Sequence, residues 1–236
     1  MAQSGPVRTR ERGRPPLVTV EQLREAILAI RGREPTMDDL AERLGVSRAT
    51  LYTHVRGQEA LRELACDTVL ETWELSEAAP GVHWAVWARQ YAWELRNKFD
   101  EYPVLLHGLR PQAGGQMIHV EQVIARFVDL GLDIGTAFYT YYALISLTVG
   151  TGISSAVARF EPESATRMLA EALRSTPGEV SHLRTILEGP VFQLVDSVFD
   201  DLVCFTLTGI ASRRGEALPE LQRDQPVPST DTPKPG

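Results

Sequence analysis

Between Thr36 and Gln58 the chain reads TMDDLAERLGVSRATLYTHVRGQ, and its chemistry gathers in Arg48, Ala49, Thr50, Tyr52, Thr53 and His54. Leu51 and Val55 stand four apart and point inward with Val46, which leaves those six residues on the remaining faces of a short helix. Guanidinium, hydroxyl and imidazole groups carried outward in this way are the donors and acceptors that read base edges and phosphates in a DNA major groove. Two short amphipathic helices joined by a glycine also make a plain helical hairpin, so the surrounding elements decide between the readings.

Those elements begin with Thr36 and Asp39, three apart, which form a capping box ahead of a helix whose Leu40, Ala41 and Leu44 recur on one face. Gly45 takes the left-handed conformation that ends such a helix, and Ser47 stands where the next one needs an N-cap. Small Ala41 and Ala49 let the two helices cross closely, as in helix-turn-helix domains that lay the second helix in the groove. Upstream, Val20, Leu23, Ile27 and Ile30 predict a helix from Thr19 to Arg31, which completes a three-helix core. Before it, Arg8, Arg10, Arg12 and Arg14 alternate with glycines and prolines, and residues 1–18 read as a flexible basic arm.

The net charge is −7, yet residues 1–62 hold eleven arginines against eight acidic side chains, while residues 63–236 hold 13 basic against 23 acidic. The asymmetry is that of a mildly basic, DNA-reading head on an acidic body, with arm contacts that weaken as salt rises.

The segment from Arg14 through Ala65 resembles the DNA-binding domain of the TetR family of bacterial transcriptional repressors. The likeness rests on Gly13-Arg14-Pro15, the following helix, Thr36, Leu40-Ala41, Leu44-Gly45-Val46 and, above all, Leu51-Tyr52-Thr53-His54-Val55. It implies that Arg48, Ala49, Thr50, Tyr52, Thr53 and His54 face double-stranded operator DNA, with Thr36 near the backbone. The chain departs from tetracycline-repressor-like members at Asp38 and Gln58, where those tend to place basic residues. Arg56 lies close enough to supply a phosphate contact in their place.

Beyond the head, helical periodicity continues without strand signals, and Ala79-Pro80-Gly81, Pro103, residues 111–115, Gly131, Pro162, Pro177-Gly178 and Gly189-Pro190 punctuate it. The fold class is all-α: a helix-turn-helix domain over residues 19–65 and a helical effector-binding and dimerisation domain over 66–215. Helices are predicted at 58–76, 84–100, 116–130, 135–158, 162–174 and 189–212. A proline-rich tail over 216–236 reads as disordered. Cys66 and Cys204 are the only cysteines and have no CxxC or Cys/His spacing, so neither a disulfide framework nor a metal site is expected. No signal peptide is visible at the arginine-rich start, and the reading is a cytoplasmic protein.

Residues 134–158 carry no charge and are long enough to cross a bilayer, but seven Ser and Thr side chains favour a helix buried in a core or an interface. The order of Gly108-Leu109-Arg110-Pro111, Asp129-Leu130-Gly131-Leu132 and the Ala137 to Gly150 helix resembles the tetracycline-repressor-like C-terminal domain. That likeness implies a homodimer built by the helices at 135–158 and 189–212 as a four-helix bundle, and an effector cavity in each body.

All four tryptophans lie between positions 73 and 93, and with the adjacent tyrosines they mark a candidate aromatic pocket. Trp73, Trp87, Tyr91, His107, Arg110, His119 and Gln122 are its candidate small-molecule contacts; ordinary core packing is the alternative for any one aromatic. Metal-bound tetracycline is not the expected effector, because Leu106, Leu109 and Ser154 stand where those repressors use His, Thr and Glu. A lipophilic or aromatic effector without metal or cofactor fits better. Its binding releases a repressor from a palindromic operator in the leading reading; an activator or an effector-free regulator of the same fold is the alternative. Catalysis with His107 or His119 as general base is not expected, since no nucleophile elbow, P-loop, HExxH or complete dinucleotide fingerprint is present.

Overall fold

In the computed structural model, residues 18–108, 114–160 and 195–221 are described, with a few positions between 171 and 185; residues 1–17 of the basic arm, Arg110 and residues 222–236 of the tail fall outside them. Thr19 and Gln22 form a capping box that starts α1 (Val20–Leu28). Val18 and Leu23, at the staple positions on either side of that cap, are both buried, whereas Val20 is exposed. The expected apolar stripe therefore begins two residues earlier than its spacing predicts, because the cap at Thr19 turns Val20 outward.

A second capping box, Thr36 with Asp39, starts α2 (Met37–Leu44), and Gly45 closes it at φ +65°. Ser47 caps α3 (Arg48–Leu51) by accepting from the Thr50 amide. The α-helix proper of this element is a single turn. Its continuation is tighter: the Thr53 amide donates to the Thr50 carbonyl and the His54 amide to that of Leu51. The Thr53 hydroxyl also donates to the Thr50 carbonyl at 2.6 Å, a local bond that competes with regular helix.

After Gly57, at φ +100°, α4 (Gln58–Thr72) leaves the head and enters the body. It ends four residues before the predicted limit, because Trp73 turns to extended geometry and is buried among other rings. Next come α5 (Trp84–Glu101), α6 (Leu105–Gly108), α7 (Gly114–Asp129), α8 (Ile134–Phe160) and α9 (Val195–Arg214). No strand occurs among the described residues.

The head is α1 packed on α2 and α4 with α3 against α2; in the body α4 lies on α7, α5 on α8, and α8 on α9. One apolar core runs through both, from Val18, Leu40, Leu51 and Val55 to Phe127, Leu144 and Phe199. Gly152 lets α8 approach α6 and α5 closely, since a Cβ there would meet Leu106 at 3.0 Å and Phe99 at 3.6 Å. Polar contacts tie the layers together. Asp200 on α9 takes both arms of Arg89, at 2.8 and 3.0 Å, and the Trp93 indole N–H at 2.9 Å. No helix among the described residues is long and apolar enough to cross a membrane.

The segment expected to be unstructured from Glu216 instead begins against the body. Glu216 accepts the Trp84 indole N–H at 2.9 Å and an Arg214 bond at 2.8 Å, and Leu218 and Leu221 are half-buried on the core. Apolar Leu218 and Leu221 supply the surface that docks this stretch.

Candidate DNA-reading head and aromatic site

Leu51 and Val55 are buried, and that pins the orientation of α3 and the turn after it. Arg48, Ala49, Tyr52, Thr53, His54 and Arg56 are consequently exposed on one side of the head, Thr50 is half-buried and Thr36 is exposed at the start of α2. Thr36 is also occupied: its hydroxyl caps the Asp39 amide, and its own amide and hydroxyl donate to the Asp39 carboxylate. Arg33 grips the same carboxylate through two bonds of 2.5 and 2.6 Å, which, with the Thr36 bonds, holds Asp39 far below the usual carboxylate range.

The two departures noted in the sequence have distinct places. Asp38 lies 3.2 Å from the Arg48 guanidinium, with both groups largely in solvent. Gln58 donates to the Pro35 carbonyl at 2.8 Å, so it fastens the start of α4 to the loop before α2. Arg62 reinforces that joint through Glu34 at 2.9 Å.

The body brings Trp73, Trp87, Tyr91 and His119 together. Tyr91 is nearly parallel to Trp73 on one side, with centroids 5.8 Å apart and planes at 11°, and to Trp87 on another, at 5.6 Å and 9°. His119 stacks on Trp73 at 4.6 Å and meets the Tyr91 hydroxyl through Nε2 at 3.3 Å. Phe127 closes on Trp87 edge-on at 5.1 Å. These residues come from the end of α4, the first half of α5 and the inner face of α7, where Gln116, His119, Val123 and Phe127 are all buried. Burial alone pushes the His119 imidazole down to about 4, so it is neutral at physiological pH. Burial likewise holds the Tyr91 phenol protonated, well above its ordinary range. The second imidazole nitrogen, Nδ1, is buried and has no hydrogen-bond partner.

Gln122 does not join them. It is exposed on α7, one residue off the buried face, because a single step rotates a helical side chain by roughly 100°. His107 has its backbone in α6, and its side chain, like Arg110, lies outside the described residues.

Sequence reasoning missed a second bridge from head to body. The Gly32 amide donates to the Glu101 carbonyl at 2.8 Å, Arg31 pairs with the Glu101 carboxylate at 2.7 Å, and the Tyr102 hydroxyl donates to the Leu28 carbonyl at 3.2 Å. Arg24 of α1 also pairs with Glu71 near the end of α4. The partners are 47 to 74 residues apart, so no local pattern announces them.

Helices α8 and α9 pack on each other and leave an apolar face uncovered. Ile134, Phe138, Tyr139 and Tyr142 project from α8, and Val198, Leu202 and Phe205 from α9, with Phe205 67% exposed. Exposed large apolar side chains on two adjacent helices are the kind of surface that marks an interaction site.

No protein-family model matches the chain, and no curated protein sequence matches it. Solved structures do. The TetR-family protein ActR from Streptomyces coelicolor, in complex with actinorhodin, matches at a TM-score of 0.66 and 24% identity, over 85% of this chain and 99% of that one. A possible TetR-family transcriptional regulator from Streptomyces coelicolor A3(2) matches at 0.64 and 18%, over 82% and 98%. A TetR variant from Acinetobacter baumannii AYE, in complex with minocycline, matches at 0.53 and 19%, over 84% and 94%.

Proposed function

We propose that this chain, which has the TetR-family fold, is a homodimeric transcriptional repressor that binds a palindromic operator and leaves it when a small aromatic effector enters the body. The observation that carries the reading is the head: Leu51 and Val55 anchor α3 in the core while Arg48, Ala49, Tyr52, Thr53, His54 and Arg56 are exposed on its outer side. Thr50 and Thr36 complete the contact set, with Thr36 at the phosphate backbone. That is the layout by which a helix-turn-helix enters a major groove.

The uncovered face of α8 and α9 supports pairing of two copies through a four-helix bundle. A twofold dimer presents two heads to half-sites roughly 34–36 Å apart. Trp73, Trp87, Tyr91 and His119 supply the effector site, with His107 and Arg110 as neighbours in sequence. Two of the similar structures hold a bound small molecule, actinorhodin in one and minocycline in the other. Leu106 and Ser154 remain the argument against a metal-bound effector, and no cofactor or catalytic step is assigned.

Linkage requires the effector to favour the state that binds DNA less well. The route is short, because Trp73 is at once the cap of α4 and a wall of the aromatic site. Movement of Trp73 shifts α4, and α5 carries a parallel signal from Tyr91 to the Arg31–Glu101 contact. The test is a gel-shift on the DNA upstream of its own gene, titrated against salt, with and without lipophilic aromatic compounds. Binding to an inverted repeat that an aromatic compound reverses is the expected result; no binding to any palindrome at low salt rejects the reading.

A further inference from the structure

The ends of α1 and α5 complete each other. The Leu28 carbonyl is among the last four of α1, which lack a partner within the helix, and the Tyr102 hydroxyl donates to it at 3.2 Å. The Glu101 carbonyl holds the same position at the end of α5 and accepts the Gly32 amide at 2.8 Å. Side chains repeat the join. The Glu101 carboxylate takes Arg31 at 2.7 Å and Lys98 at 2.9 Å, and both cations lie over the buried Tyr102 ring, 5.9 and 5.6 Å from its centre.

The body holds α5 just as firmly. It packs mainly on α8 and α9, and Arg89 and Trp93 both bond Asp200 of α9. From Arg89 to Glu101 the helix runs unbroken for roughly 18 Å, a strut from α9 to the end of α1. The covalent link, α4, packs instead on α1 and α7. A head held by α4 alone turns about that helix's axis, and a second attachment through α5 removes the rotation. Rotation matters to a reader of palindromes. Each base pair added between half-sites moves one of them about 3.4 Å along the duplex and about 34° around it.

We propose that Glu101 and Tyr102 are positioning residues for DNA reading: by locking the end of α5 to the end of α1 they fix the head's angle and so select the half-site separation that the protein accepts. This rests on the reading of the chain as a dimeric reader of a palindrome.

The test uses the full-length protein and the palindrome that the wild type selects from a randomised duplex pool, remade with one base pair inserted or removed at its centre, and as a single half-site. Wild type should prefer its own separation by roughly tenfold or more. Tyr102→Phe with Glu101→Gln keeps the buried ring and the backbone carbonyl but loses the hydroxyl and the charge. Its preference should fall to about threefold or less, with half-site affinity within about twofold of wild type. Taking the ratio between separations cancels any uniform effect of altered charge. Arg31→Gln breaks the same ion pair from an exposed side chain and should also lower the preference, which covers the case of a double variant that fails to fold. Hydrogen exchange without DNA supplies a second readout: amides of residues 29–36 should exchange faster in the variants, while emission from the four tryptophans, all in the body, stays unchanged. A spacing preference that survives the substitutions, a loss equal on palindrome and half-site, or unchanged exchange at Gly32 overturns the proposal and leaves the dimeric reader standing. Selection of no palindrome by the wild type rejects the dimeric reader, and this proposal with it.

Discussion

At the scale of single residues, Arg48 and His119 put the reading at most risk. Arg48 is exposed on the outer side of α3 and leans on Asp38 at 3.2 Å. If it reads a guanine edge, Arg48→Ala costs roughly 1–3 kcal/mol of operator affinity and relaxes one base position, which a gel-shift against single-base operator variants would reveal. Asp38→Asn acts in the other direction. The exposed pair itself is worth only about 0–1 kcal/mol, but removing a carboxylate beside the phosphates should strengthen nonspecific DNA binding and steepen its salt dependence. An unchanged salt slope would place Asp38 away from the DNA. His119 gives a pH signature independent of any ligand. Its folded value is about 4, against 6.5 for the ordinary imidazole, so between those values the unfolded chain holds the proton more readily and folding stability falls as pH falls. The full effect is on the order of 3 kcal/mol. It is complete once pH drops below about 4 and absent above the ordinary value. Urea melts at pH 7 and pH 5 should show the loss in wild type and a smaller loss in His119→Phe; equal losses would mean that His119 is solvated.

At the scale of elements, what was legible in the sequence was the chemistry carried within a few residues. The Thr36–Asp39 box, the left-handed Gly45 and the Ser47 cap each complete themselves inside one turn, so their residue types alone specify the geometry. A replacement at Gly45 tests this directly. A Cβ there meets nothing within 4 Å, so the cost of Gly45→Ala is conformational, roughly 1 kcal/mol from the positive φ. The loss should appear as a lower melting temperature together with weaker DNA binding, since the same turn sets the angle of α3. Stability equal to wild type would show that the turn relaxes. Other features depended on partners distant in sequence. The end of α4 is decided by the rings that receive Trp73, and the exposure of Gln122 by which side of α7 meets α4. The Arg89–Asp200 pair joins residues 111 apart. Periodicity cannot supply such contacts, and for that reason Val20 and the early tail were misassigned.

At the scale of the whole molecule, the proposed reading of a palindrome needs two heads held at a set spacing, and the apolar face of α8 and α9 is the surface suited to hold them. Phe205 and Tyr139 are the critical positions, exposed by 67% and 68% on helices whose opposite sides are already buried in the core. Phe205→Glu or Tyr139→Glu leaves the described intrachain packing nearly untouched, so the single chain should melt as a folded helical protein. In a bundle that pairs this face with its own copy, each substitution places two carboxylates in a desolvated interface, near the twofold axis or repeated across it. Burying unpaired charge there costs several kcal/mol, enough to shift a dimer to monomers at micromolar concentration. Sedimentation velocity should then show wild type as a dimer and the glutamate variants as monomers. Operator affinity should drop far more than it does for Arg48→Ala, because a monomer loses the second half-site outright, whereas binding to a single half-site should change little. A wild-type chain that sediments as a monomer while still binding a full palindrome tightly would detach the head from this face and leave the exposed rings of α8 and α9 to another partner.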